Sequence, residues 1–323
     1  DIKAEPIDFA VLIDTIYGED SDYDAYTIGW SGRVERLDPD MFIHSINHSK
    51  NANPGGNNTD KYRSDEFDAV ADAQRQEMDI EKRRELVFEA QEILGEDVPR
   101  ITLYSRANVQ AYNKDKFKNV ENIPGEGLFN EWTPMVIEPI TDEKVLKVAS
   151  NVNLDTLNPM KAKSVYEWRN LRLIYDKLVR LTPEIEPMPW AATSWDIVDD
   201  TTIDVHLRDG MNFHDGEPVT VEDVKFTFEA FIDNNVEYFM SFLEPIDTVE
   251  ILDEDTIRFN LEYPYAPFVT NTLTQIPILP KHIWENIDDP INYDNSNPIG
   301  SGPFVFKNFR PGEELVTDTN RDY

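Results

Sequence analysis

Five histidines and no cysteine bound the chemistry open to this chain. Without cysteine there is no disulfide, no thiolate nucleophile and no sulfur-ligated zinc. His44 and His48 stand four residues apart, the spacing that puts two imidazoles on one helix face as a metal pair. The asparagine- and glycine-rich run over 47–59 favours a solvated loop instead, so no metal is expected there. His206 falls on the polar face of a predicted strand, His214 in a turn and His282 at a helix start. Asp38-Pro39-Asp40 offers carboxylates but lacks the ligand ladder of a calcium loop. There is no G-x-S-x-G elbow and no phosphate-cradling motif, and acidic pairs are too common to mark acid–base catalysis. The expectation is a chain with no catalytic residue, no metal and no cofactor.

Aromatic side chains carry the remaining chemistry. Trp30 follows Gly29 at the end of a predicted strand and opens a polar loop. Such a ring either fills a core or forms a wall against which a ligand stacks. Trp168 lies on the inward stripe of a predicted helix, which leaves core packing and a ligand wall equally open. Trp195 is expected to anchor a hairpin.

The elements that position these residues follow from periodicity. Residues 9–17 read as a helix, and Tyr26 and Ile28 alternate as a strand ending at Gly29-Trp30. Helices are predicted over 65–77 and 80–94, the second with Leu86, Val87, Ala90, Ile93 and Leu94 on one face. A strand is predicted over 101–104, a proline-bearing connector over 131–141 and a strand at Val145–Ala149. Ser164 and Glu167 form a capping box ahead of Val165, Trp168, Leu171, Tyr175 and Leu178. Ile203, Val205 and Leu207 alternate with polar residues after the Asp199-Asp200 turn, which predicts a hairpin. Thr220 and Asp223 open a helix bearing Val221, Val224, Phe228 and Phe231, and a second hairpin turns at Asp253–Asp255.

Composition sets the outer limits. The chain has 323 residues with 63 acidic against 30 basic, a formal charge of -33. That field repels nucleic acid and anionic membrane, so neither is an expected partner. The acid is spread along the chain, and 40% hydrophobic content argues for a folded protein. A carboxylate-covered folded surface is halophilic and haloarchaeal-like in character, with high salt screening the self-repulsion. No apolar run reaches the length of a membrane span, and no signal peptide opens the chain. The N-terminus is therefore expected to be processed or not the true start.

The wording of one stretch says more than its physics. From Trp195 the chain runs through an alternating strand to Leu207-Arg208-Asp209-Gly210, then Phe213, Asp215-Gly216, Pro218-Val219-Thr220 and Glu222-Asp223-Val224. This resembles the signature of the family 5 solute-binding proteins, extracytoplasmic receptors of peptide- and nickel-type ABC importers. The Leu157-Asn158-Pro159 loop and the closing Gly300-Ser301-Gly302-Pro303-Phe304 segment resemble the N-terminal half of that family. Gly29-Trp30, Asp38-Pro39, the Tyr62 to Asp68 segment, Asp79 through Arg83 and Pro99 to Tyr104 resemble its C-terminal half. The order is thus C-terminal half, connector, N-terminal half.

The resemblance implies an α/β fold of the type II, two-lobe periplasmic-binding-protein kind, present as two half-units, 1–140 and 141–323. A fragment of a tandem protein is expected in preference to a permuted single receptor. It also implies ligand capture by hinge closure, a small solute such as an oligopeptide as ligand, and ABC permease subunits as partners. The expected location is extracellular and cell-surface attached, with signal and anchor outside this chain. The alternative is a non-catalytic extracellular scaffold or adhesion module that keeps the fold. By the same resemblance the cleft is lined by Trp30, Ser31, Glu35 and Asp38 and by Tyr166, Trp168, Tyr238 and Phe239, with core burial an equal alternative for the last three. There is one departure. Peptide carriers of the family hold the ligand's amino group with an aspartate soon after the Gly-Trp pair, and here that role falls to Asp38 or Glu35. Peptide specificity is accordingly open, beside sugars and nickel chelates.

Overall fold

The computed structural model describes the chain except residues 1–4, 19–22, 30–35, 55, 106, 108, 143, 151–152 and 237. The described residues fall into two compact units, one reaching to residue 107 and the other running from 109 to 323.

The first unit is helical. It holds α1 (Phe9–Tyr17), α2 (Asp65–Gln76) and α3 (Ile80–Asp97). Ser64 Oγ accepts from Phe67 N–H at 3.3 Å and starts α2. Asp79 Oδ1 accepts from Glu81 and Lys82 N–H, both at 3.1 Å, and starts α3. These caps satisfy amides that a helix start leaves unpaired. Phe67, Ala71, Val87, Ala90 and Ile43 form the core between them. α3 continues past Gly95 and stops where Val98 turns left-handed at φ 47°. Between α1 and α2 a helical stretch carries a π-helical turn, Met41–Ser45. The strands expected around Tyr26 and over 101–104 do not form. Ile101, Leu103 and Tyr104 are exposed. Alternation favours an extended backbone, but a strand also needs a neighbour for its amides, and these segments have none in a sheet.

The second unit is α/β. β1 (Phe117–Lys118) pairs antiparallel with β2 (Glu138–Pro139), bracketing α4 (Thr133–Val136). Then come α5 (Val165–Ile174), β3 (Val179–Leu181), β4 (Pro187–Pro189), β5 (Ala192–Asp199) and β6 (Thr202–Leu207). α6 (Val221–Asp233) precedes β7 (Ile246–Ile251) and β8 (Thr256–Leu261), and β9 (Phe304–Arg310) pairs with β10 (Glu314–Thr319) at the end. The main sheet has the order β5-β6-β8-β7, antiparallel throughout, with Ile203 opposite Phe259 and Val205 opposite Ile257. Both expected hairpins are therefore present and share one sheet. Its buried face meets α6, where the Phe228 and Phe259 rings lie 4.8 Å apart edge to face. On the other face Asp204 takes a bidentate pair from Arg258 at 2.7 and 2.8 Å. The strand expected at Val145–Ala149 does not form, and Val145 and Val148 are exposed.

Two features concern the joints. The stretch expected to be a connector begins with Glu131 and Thr133 buried, because charged residues of the following elements pull it in. The Gly300–Gly302 turn seats on the end of α5: a Cβ on Gly300 would meet Ile174 O at 2.1 Å, and one on Gly302 would meet Leu173 O at 2.6 Å. Only glycine permits that approach.

Candidate functional site

Three of the eight residues expected to line a ligand site, Trp168, Tyr238 and Phe239, meet in the second unit, and Tyr166 stands two residues before Trp168 on the same helix. The capping box at the start of α5 is fully formed: Ser164 Oγ accepts from Glu167 N–H at 3.3 Å, and Glu167 Oε2 accepts from Ser164 N–H at 2.9 Å. This fixes the first turn and carries Trp168 inward, where Nε1–H donates to Ala162 O at 3.2 Å. The segment after α6 brings Tyr238 and Phe239 against that indole. Tyr238 stacks on it with centroids 5.7 Å apart and planes 20° from parallel. Phe239 meets it edge-on at 4.9 Å and touches Phe231 of α6 at 5.3 Å. Trp168 is 3% exposed and Phe239 1%, so these two rings are the floor of the cluster. Tyr238 and Tyr166 are half-buried, and the guanidinium of Arg169 stands 5.8 Å over the Tyr166 ring. The arrangement offers aromatic faces and one cation, which suits stacking and polar recognition and contains no nucleophile–base pair.

The other four expected residues belong to the run from 30 to 38. Trp30, Ser31 and Glu35 lie outside the described residues. Asp38 receives both Nη groups of Arg83, at 3.0 and 2.5 Å, and its Oδ1 also accepts from Asp40 N–H at 2.9 Å. Its side chain is 5% exposed, so in this structure it is a structural anchor between α3 and the turn ahead of Met41.

His44 and His48 require a correction. They were expected to be solvated, yet they are 2% and 7% exposed and face α2 one helical turn apart. The reason is Asn58, fully buried, which the Asn-rich run supplies. Its Nδ2 donates to Asn47 O, His48 O and Tyr62 O at 3.0, 3.2 and 2.8 Å, and its Oδ1 accepts from Tyr62 N–H at 3.1 Å. One amide thus folds the run back as a packed loop.

A buried ion network also escaped the sequence reading. Glu131 Oε2 lies 2.7 Å from Arg180 Nη1 and 3.2 Å from Lys177 Nζ, and Asp176 Oδ1 takes Arg180 Nη2 at 3.2 Å. Arg172 pairs with Glu126 at 3.0 Å. The Arg180 guanidinium stacks 4.5 Å above Trp190, and Trp132 Nε1–H donates to Leu181 O at 2.9 Å. Burial pulls the Lys177 ammonium down to about 8 against the opposing pull of Glu131. Charges 46 residues apart in so acidic a chain give no local signal of their pairing.

Residues 186–323 match the model described as bacterial extracellular solute-binding proteins, family 5 middle. This stretch belongs to family 5. Protein XP55 of Streptomyces lividans is 34% identical over 184 residues, 55% of this chain and 32% of that protein. The oligopeptide-binding protein AppA of Bacillus subtilis is 34% identical over 125 residues, 37% of this chain and 23% of that one. The solved structure of AppA from Bacillus subtilis in complex with a nonapeptide superposes with a TM-score of 0.50 at 26% identity, covering 54% of this chain and 36% of that chain. The chain spans about a third or less of the length of these relatives. Family 5 proteins are non-catalytic transport receptors. Tyr238 and Phe239 lie inside the family 5 stretch, and Tyr166 and Trp168 lie just ahead of it. No helix among the described residues is long and apolar enough to cross a membrane.

Proposed function

We propose that this chain is part of an extracytoplasmic solute-binding receptor that captures a peptide or similar small solute by hinge closure and delivers it to the permease of an ABC importer. The family 5 match over residues 186–323 carries the reading. The convergence of Trp168, Tyr238 and Phe239 supports it, because an aromatic platform binds solutes without chemistry. In this proposal Tyr238 presents its exposed face to the ligand, Trp168 and Phe239 hold it in place, and Tyr166 adds a contact from the first turn of α5. Trp30, Ser31 and Glu35 are proposed ligand contacts of the C-terminal half, and Asp38 serves them by anchoring the loop that follows through its pair with Arg83. By ancestry we assign 1–140 to the C-terminal half of one receptor and 141–323 to the N-terminal half of another, a division distinct from the compact units. Cell-surface attachment and adaptation to high salt belong to the same proposal.

The burial of Trp168 and Phe239 favours one competing reading, a non-catalytic scaffold or adhesion module whose former cleft is filled by its own side chains. Affinity separates the two. Di- to nonapeptides, oligosaccharides and nickel–histidine chelates are titrated into the full-length protein by calorimetry. The receptor reading expects saturable binding of one class, weakened about tenfold by Tyr238→Ala, since a stacked ring is worth about 1 kcal/mol beyond its area. Absence of binding to all three classes favours the scaffold.

A further inference from the structure

The first unit carries a constellation unrelated to the aromatic cluster and independent of the solute-binding reading. The rings of His44 and His48 lie with centroids 4.6 Å apart and planes 43° from parallel, held in register by His48 N–H donating to His44 O at 3.1 Å. Asp72 of α2 completes a triangle: its Oδ1 stands 3.3 Å from Nε2 of each imidazole. All three donor atoms lie within 4.8 Å of one another. A tetrahedral zinc ion with bonds of about 2.0–2.1 Å keeps its ligand atoms about 3.3 Å apart, the two separations found here. The Asp72 side chain is 51% exposed, so an ion could enter past it, while both imidazoles are buried.

The hydrogen bonding within the triangle is short of partners. His44 Nε2 faces Arg75 Nη1, which can only donate, at 3.4 Å and the acceptor Asp72 Oδ1 at 3.3 Å, so one tautomer of the free imidazole cannot serve both. His48 Nδ1 accepts from Lys50 N–H at 3.0 Å, and the buried His48 Nε2 makes no well-formed hydrogen bond.

We propose that His44, His48 and Asp72 form a binding site for a borderline divalent transition-metal ion, with zinc the reference ion and solvent completing the coordination. The donor set of two imidazoles and one carboxylate suits zinc and its neighbours better than magnesium or calcium, which take oxygen ligands. Two features of the surroundings bear on it. The Arg75 charge opposes a cation, and Asp40 offsets it with contacts of 3.2 Å to both Nε and Nη2. Asp68 Oδ1 lies 3.7 Å from His48 Nδ1. On loading, His48 moves its proton from Nε2 to Nδ1, gives up the Lys50 contact and donates to Asp68, a carboxylate orienting a metal-bound imidazole. The exchange is a tautomer shift and releases no net proton from His48.

The test must separate this site from cation gathering by so acidic a surface. The metal-stripped full chain is titrated with Zn²⁺ by calorimetry in molar NaCl with excess Mg²⁺, and Co²⁺ is followed by its visible absorption. One saturating ion and a tetrahedral Co²⁺ spectrum are expected. Asp72→Asn, at an exposed position, should leave the metal-free protein folded by circular dichroism and weaken zinc by about tenfold or more, and His48→Gln should do the same to zinc. No saturable binding at micromolar zinc, or wild-type affinity in either folded variant, overturns the site.

Discussion

Glu131→Gln probes how the run ahead of residue 140 is held to the elements after it. Glutamine keeps the shape of the side chain and removes only its charge. In the native protein Glu131 is 2% exposed and faces Lys177 and Arg180, which are 3% and 0% exposed. Burial alone would push the Glu131 carboxyl up, but the Lys177 ammonium and Arg180 guanidinium hold it below the usual carboxylate range. Without its charge two buried cations would share Asp176, whose Oδ1 already accepts from Arg180 Nη2, Trp190 Nε1–H and Tyr323 O–H. Removing one partner from a buried ion network costs about 3–5 kcal/mol, because the charge left behind has lost both its water and its counter-ion. For a unit of this size that corresponds to a fall in Tm of about 6–20 °C. Denaturant unfolding and calorimetry of wild type and Glu131→Gln in the same high-salt buffer give the value. Glu138→Gln is the control: it breaks a solvent-exposed pair with Lys118 and should leave Tm unchanged. A loss below about 1 kcal/mol for Glu131→Gln would refute the reasoning, since it would show that water reaches Lys177 and Arg180.

Two further outcomes follow from the charges. His44 and His214 both have pKa values pushed below the ordinary imidazole value by burial, and His214 Nε2 and Nδ1 are held by Gly302 O and Gly300 N–H. Each folded pKa is depressed, so the stability contributed is complete above the unfolded value of about 6.5 and is lost as pH falls through it toward the folded values. Denaturant midpoints in molar salt, where the general self-repulsion is screened, should fall between about pH 7.5 and 5.5. His214→Gln should flatten that slope, and an unchanged slope removes His214 from the account. The formal charge of -33 gives the second outcome: Tm should climb steeply from low to molar NaCl, and a flat profile would refute the halophilic reading.

What could be read in advance was whatever neighbouring residues settle among themselves. The Ser164–Glu167 box and the alternation of Ile203, Val205 and Leu207 act over a turn or a strand length, and the structure shows both. Strands over 101–104 and 145–149 failed because the period of two fixes a backbone preference while the pairing that makes a strand is a long-range event. The aromatic cluster was half legible. Trp168 had the helical spacing of an inward residue, but nothing in its neighbourhood names Tyr238 and Phe239, seventy residues on, as the rings it meets.

The polar interior was the least legible, and the reason lies in composition. With 63 acidic residues a single carboxylate carries no information, so Glu131 and Asp72 could not be distinguished from their exposed counterparts. Cations are the scarcer partner here, and their placement would have been the better guide. Arg180, Arg75 and Lys177 are buried, and the first two each meet acids from distant parts of their own unit. In a chain with an excess of negative surface, a basic residue inside an apolar run, such as Lys177 and Arg180 flanking Leu178-Val179, has no solvent-facing reason to be there. Such a position points to a buried acid drawn from elsewhere in the chain, because an unpaired charge at that depth costs more than a small domain's whole stability margin allows. Arg75 stands in a polar run, between Gln74 and Gln76, and carries no such signal, so its pairing with Asp40 beside the helix face on which His44 and His48 meet Asp72 is visible only in the fold.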